Sequence, residues 1–412
     1  MARVRVRWGS VAVAWRAAVC GVVVVGAMRA FADVASDRSA AIVVFPKVVV
    51  DIASPQIAPP AQVDTLIRIS NVSSEAISLR CFWTDATPRC SDGSGSEFSC
   101  LSDPVSCKPP GVCVPQWQET DFVVHLTAGQ PVAWLASRGA VPCAESASEV
   151  PCFPAIPGNL PPNRVLPVPE DPFVGELRCI AVDRNDVPVE RNALQGEAEI
   201  VRSSVTPLAI DVAAYNAIGI PAYPGANDKD NTLVLGGVCV GGTRAQLPCT
   251  SPADCPGGRC PAEYAGCPNL LVLDHFFDGA VDPVSEKVVT TDLTLIPCTT
   301  DYLRQAPVTT PVQFLVFNEF EQRFSTSRSV TCFSELKLSN IDTHTSERSL
   351  FNAAVAGTLT GQTRIRGVAD GHPEHGHALL GLAEEFRHDG GSAAFNLHFH
   401  GSRPQSDFVY LP

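Results

Sequence analysis

Apolar and polar positions alternate with a period of two along much of the chain, and that period predicts strands. Thr65-Leu66-Ile67-Arg68-Ile69-Ser70 is one such run; after the polar turn Asn71-Val72-Ser73-Ser74 the alternation resumes from Ala76 to Trp83. Two such runs across a short polar turn predict an antiparallel hairpin. Residues 121–126 and 131–135 predict a second hairpin around Thr127-Ala128-Gly129-Gln130. Ahead of them, Ala41 to Phe45 and Val48 to Val50 flank Pro46, which suits an edge or bent strand. Residues 175–182 and 197–201 complete a first β-unit, and a second begins near Thr206 with strands at 232–235, 270–273, 288–295, 312–317, 329–333, 357–360, 363–366 and 393–398. Helical periodicity is weak everywhere. Residues 382–387, confined by Gly381 and Gly390, could form at most a turn or two.

The 35 prolines and 30 glycines are spread along the chain, punctuating many short segments as in a β-sandwich. The expected class is therefore all-β, with two β-sandwich domains at 33–205 and 206–412. Between strands of the first, the proline-rich stretch 141–174 reads as a long surface loop pinned by Cys143 and Cys152, and such loops are candidate contact surfaces.

Residues 1–32 read as a removable signal peptide. Arg3, Arg5, Arg7 and Arg16 form a basic start, and the apolar run Ala17 to Met28 is only 12 residues long. A spanning helix needs about 20, whereas a signal core needs roughly 7–15. Ala30-Phe31-Ala32 supplies the small-x-small pattern for cleavage before Asp33. The competing reading is an N-terminal membrane anchor. No later stretch is long and apolar enough to span a bilayer. Removing the five leader arginines takes the formal charge from −13 to −18. So acidic a chain excludes nucleic acid as the expected partner.

Sixteen cysteines, fifteen after cleavage, point to the same oxidising compartment. No C-x-x-C occurs, which argues for disulfides over structural zinc. Cys90, Cys100, Cys107 and Cys113 are spaced by 10, 7 and 6; Cys239, Cys249, Cys255 and Cys260 by 10, 6 and 5. Each cassette, 90–113 and 239–260, is too polar to order itself without internal bonds. Four cysteines allow three pairings, and sequence alone does not choose. Analogy with small knotted loops implies first-to-third and second-to-fourth. Cys81 and Cys179 are paired in expectation as a cross-sheet bridge near Trp83, Cys298 with Cys332, and Cys267 is left as the odd residue. The second cassette resembles short cysteine-rich inserts of secreted proteins of environmental bacteria. The first domain, with Cys81, Trp83 and Cys179, is similar to immunoglobulin-like modules of bacterial surface proteins. The resemblance implies a scaffold and no particular activity.

Six of nine histidines lie in 372–400, among them His375 and His377, and His398 and His400, with Glu374, Glu384, Glu385 and Asp389 nearby. Imidazole with carboxylate can hold zinc or another divalent metal, but the spacing of a catalytic zinc helix is absent. Asp274, His275 and Asp278, or Glu319 and Glu321, could belong to a hydrolytic constellation; no nucleophile elbow or phosphate loop accompanies them. His125 reads as packed within its strand, and Asn227 to Asn231 as a turn rather than a calcium loop. The sequence thus points to a secreted, extracellular or periplasmic structural or adhesive protein without catalysis or a required cofactor. Its partner would be a protein or a glycan, and the alternative is a hydrolase or metal module in 372–400.

Overall fold

The computed structural model describes Val34–Pro412 apart from 54–60, 91–106, 108–110, 116, 146–151, 154–162, 206–207, 223–231, 250–253, 260–262, 343–344, 369–376, 389–390 and 401–406. The expected leader 1–32 thus lies outside the described residues. The fold is all-β, and its body is four antiparallel sheets in layers. Layer one orders Leu208–Asn216, Leu194–Val205, Ala61–Asn71 and Pro131–Leu135. Layer two orders Ile218–Ile220, Ile42–Val50, Phe173–Val182, Ile77–Asp85 and Gln118–Leu126. Layer three orders Ser334–Lys337, Val289–Pro297, Leu379–Arg387 and Gly391–Asn396. Layer four orders Arg323–Thr331, Thr309–Asn318, Thr360–Gly367, Leu270–Phe276 and His398–His400. A smaller sheet pairs Thr232–Val238 in parallel with Asp407–Tyr410.

Side-chain patterning explains the layering. Strands of the outer layers alternate: in Ala61–Asn71, Val63, Thr65, Ile67 and Ile69 are buried while Asp64, Leu66 and Arg68 are less so. The inner strands of the central layers lose this alternation. Every residue of Ile42–Val50 and Phe173–Val182 is buried, as expected for a sheet covered on both faces. Layer three divides its side chains between two cores. Leu293, Leu295, Leu379 and Ala383 pack with layer four around Phe314 and Phe351. Ile296, Leu380 and Leu382 face the other way and join the core of layers one and two, with Val44, Phe45 and Ile180.

Several expectations change here. Neither predicted hairpin forms: Ala61–Asn71 lies in layer one and Ile77–Asp85 in layer two, so the turn between them arches across the sandwich. The same holds for Gln118–Leu126 and Pro131–Leu135, which pair with Ile77–Asp85 and Ala61–Asn71 respectively. Asn71 fixes the first arch, its Nδ2 donating to the carbonyls of Glu75 and Thr127. The helical reading of 382–387 gives way to the strand Leu379–Arg387, whose residues from Leu379 to Glu385 are all buried. Residue 206 does not mark a change of sandwich, because Leu208–Asn216 and Ile218–Ile220 complete layers one and two, and Ala32–Pro412 is one compact unit. Among the described residues, no helix is long and apolar enough to cross a membrane.

Candidate functional site

The cysteines fix the loops around the layers. Cys81 and Cys179 are bonded, but they are opposed neighbours on adjacent strands of layer two, so the bond does not span the two sheets of a sandwich. Cys143 and Cys152 are bonded. In each cassette the first and third cysteines are joined, Cys90 to Cys107 and Cys239 to Cys255. Cys100, Cys260 and the side chain of Cys113 lie outside the described residues; Cys249 is also disulfide-bonded. The expected Cys298–Cys332 bond is replaced by Cys267–Cys298. The backbone explains the exchange: Cys298 N–H donates to the Ala378 carbonyl and Leu379 N–H to that of Pro268, which sets Cys267 beside Cys298 with Cα atoms 6.1 Å apart. Among the described residues, Cys332 carries a free thiol. It shares a small cavity with Trp117, Glu176 and Pro297, and burial pushes its thiol up to about 12.

The histidine-rich region divides. His375 lies outside the described residues. His377 is buried with Nδ1 lacking a partner, whereas His398 and His400 are exposed on a short edge strand beside Leu270–Phe276. Among the described residues, the one set of three potential ligands within 4.8 Å is Cys239, Cys249 and Cys255. All three sulfurs are in disulfides and are not free thiolates.

The second group of candidates serves packing and turns. His275 Nε2 meets Thr363 Oγ1 and its Nδ1 meets the Phe276 carbonyl, each at 2.8 Å. Burial drives its pKa down to about 4, so it is a neutral core side chain. Asp274 points to the other face and accepts from Gln362. Asp278 accepts from the amides of Thr291 and Ser339, tying the strand Val289–Pro297 to the short helical turn Leu338–Asn340. Glu319 accepts from the amide and hydroxyl of Thr360.

Two constellations absent from the sequence reading emerge instead. The first is a buried ion cluster between layers two and three. Lys47 Nζ lies 2.6 Å from Glu335 Oε1 and 2.7 Å from Glu384 Oε2, and Arg202 reaches Glu384 at 2.5 Å. Burial alone would lower the Lys47 pKa, but the carboxylates of Glu335, Glu384 and Asp292 outweigh it and hold the ammonium charged. Asp292 faces Glu384 directly across the ladder. Burial and these like charges push it up to about 6. Nearby, Arg178 donates to the carbonyl of Cys298 at 2.9 Å, and Phe82 stacks on Tyr302 with centroids 4.2 Å apart.

The second is a cleft of about 350 Å3 at the edge of layer two, lined by Ser78, His125, Leu126, Val182, Arg184 and Arg191 among others. Ser78 and His125 are opposed across adjacent strands, with Oγ and Nδ1 2.7 Å apart. Asn163 clamps the free edge of His125, accepting from its N–H and donating to its carbonyl, each at 2.6 Å. Desolvation lowers the His125 pKa, which leaves a neutral imidazole at physiological pH. A period-two pattern places each residue on a face but cannot bring the strands of 78 and 125 together, and the wrong hairpin pairing hid the contact. No protein-family model matches the chain, and no curated protein matches it.

Proposed function

We propose that the chain is a secreted structural or adhesive protein of a bacterial surface or extracellular space, binding a protein or glycan through its stapled loops. One observation supports this reading above the others. Each polar cassette carries a first-to-third disulfide and is carried on a scaffold whose layers share buried apolar and ionic contacts. Such loops have little core to hold them, so the covalent bond provides their shape, and loops on a rigid body are where recognition concentrates. The alternative in the histidine-rich region is less favoured, because His377 is buried while His398 and His400 face solvent.

The test uses the whole chain with its leader, expressed in a bacterial host with an oxidising periplasm. Fractionation and N-terminal sequencing should find a mature protein starting at Asp33 outside the inner membrane. Binding of that protein to isolated cell envelopes and to a glycan array should saturate. Replacing Cys239 and Cys255 by Ser should lower that binding at an unchanged melting temperature of the body. Retention of the leader in the cytoplasm, or binding to neither surface, would overturn the proposal.

A further inference from the structure

We propose that Ser78 and His125 form a nucleophile–base pair that takes the acyl group of an anionic ester, seated in the cleft beside Arg184 and Arg191. This goes beyond the binding role and stands on separate observations. The pair is positioned by backbone rather than by chance contact of long side chains. Ser78 is held near the start of Ile77–Asp85, paired on both sides, where it opposes His125 on one neighbour and Val182 on the other. The Asn163 amide engages both backbone groups of His125 as a neighbouring strand would. With the proton on Nε2, Nδ1 accepts from Ser78 Oγ at 2.7 Å, the reach a base needs. Ser78 is 6% exposed and lines the cleft together with the apolar residues Ile77, Leu126 and Val189.

The charges around the cleft set the substrate class. Arg184 is exposed and engages no carboxylate among the described ion pairs, while Arg191 bonds Glu75 at 2.7 Å. The unpaired guanidinium of Arg184 favours a carboxylate or phosphate on the ester. Asp183 also lines the cleft, its Oδ1 accepting from the amides of Asn185 and Val187, and Asp186 is the acid that acts on the charge of His125, so Arg184 works against two acids at this rim.

The chemistry balances with water as co-reactant. Ser78 Oγ bonds to the ester carbonyl carbon as His125 Nδ1 takes the hydroxyl proton. The bond to the alcohol oxygen then breaks, and the alcohol leaves with that proton. Water, deprotonated by His125, hydrolyses the Ser78 ester, releasing the carboxylic acid and restoring the hydroxyl.

Two probes test this on the disulfide-intact chain. An alkyl fluorophosphonate, losing fluoride to Ser78, should leave its adduct on the peptide containing Ser78. 4-Nitrophenyl hemisuccinate should release nitrophenol faster than the neutral 4-nitrophenyl acetate, and Arg184→Gln should erase that preference. His125→Gln should slow labelling on the order of 100-fold or more, as loss of a general base does, and Ser78→Ala should abolish it. The wild-type labelling rate should be flat above pH 7 and fall as His125 protonates; an unassisted hydroxyl would instead gain about tenfold per pH unit as it ionises. No adduct on Ser78 in folded protein, a steadily rising pH profile, or equal labelling of other serines would overturn the proposal. The wild-type pH profile decides the matter even if His125→Gln fails to fold. None of these outcomes bears on envelope binding, so the two proposals fail separately.

Discussion

Replacing Asp292 by Asn should stabilise the protein at neutral pH and leave it unchanged in acid. Asp292 stands on Val289–Pro297 opposite Glu384, and Glu335 adds a further negative charge to the cluster around Lys47. Like charges facing each other across a ladder repel. In the folded state the Asp292 carboxyl titrates near 6 rather than at its ordinary 3.8. One pH unit of difference is about 1.4 kcal/mol, so the charged form is disfavoured by about 3 kcal/mol. Because the side chain is only partly shielded from water, about 2 kcal/mol is the expectation. The sign follows from proton binding. Between pH 3.8 and 6 the folded protein holds a proton that the unfolded chain has released, so this group's contribution is full below about 4 and is lost as pH rises through 6. Asparagine keeps the shape and never ionises. Urea unfolding of wild type and Asp292→Asn should therefore give equal midpoints at pH 4 and a mutant more stable by about 2 kcal/mol at pH 7.5. Parallel pH profiles for the two proteins, or a mutant weaker at pH 7.5, would refute the reasoning.

Lys47→Met should destabilise by about 3–5 kcal/mol, since it strands buried carboxylates; urea midpoints should show the loss to be greater at pH 8 than at pH 5. Removing Cys81–Cys179, which closes a loop of 98 residues, should cost nearly 5 kcal/mol in the chain-entropy picture. Removing Cys90–Cys107, which closes 17 residues, should cost about 3 at most and be felt chiefly as faster proteolysis within its cassette. The Cys332 thiol, with its pKa raised to about 12 by burial, should resist maleimide at pH 8 in the folded protein and react once urea unfolds it. Prompt labelling without urea would contradict its burial.

The class of the fold was legible because period-two runs and turn residues dominate the chain. The layer each strand joins was not. Thr65 to Ser70 alternates visibly since one face meets water, and it is an outer-layer strand. Leu379–Arg387 is covered on both faces, so its pattern of Leu, Gly, Leu and Ala lacked a polar beat and suggested a helical turn. Pairing also escaped the reading. A short polar turn fits a hairpin and an arch equally, and the arch is selected by contacts such as those of Asn71 that arise only after the sheets meet. Sites built across those pairings were invisible for the same reason. Ser78 and His125 are 47 positions apart, and Lys47 and Glu384 are 337 apart. The pairing of Cys298 depended on a backbone route through Ala378 and Leu379 that no spacing rule encodes.

Layer three turns one side to Phe314 and the other to Phe45, so it is a wall common to both halves. Cutting the chain near residue 220 would leave each half with a bare greasy slab. Neither piece should survive alone at useful concentrations; both would clump. Pulled from its ends, the intact molecule should give way in a single rupture, not two.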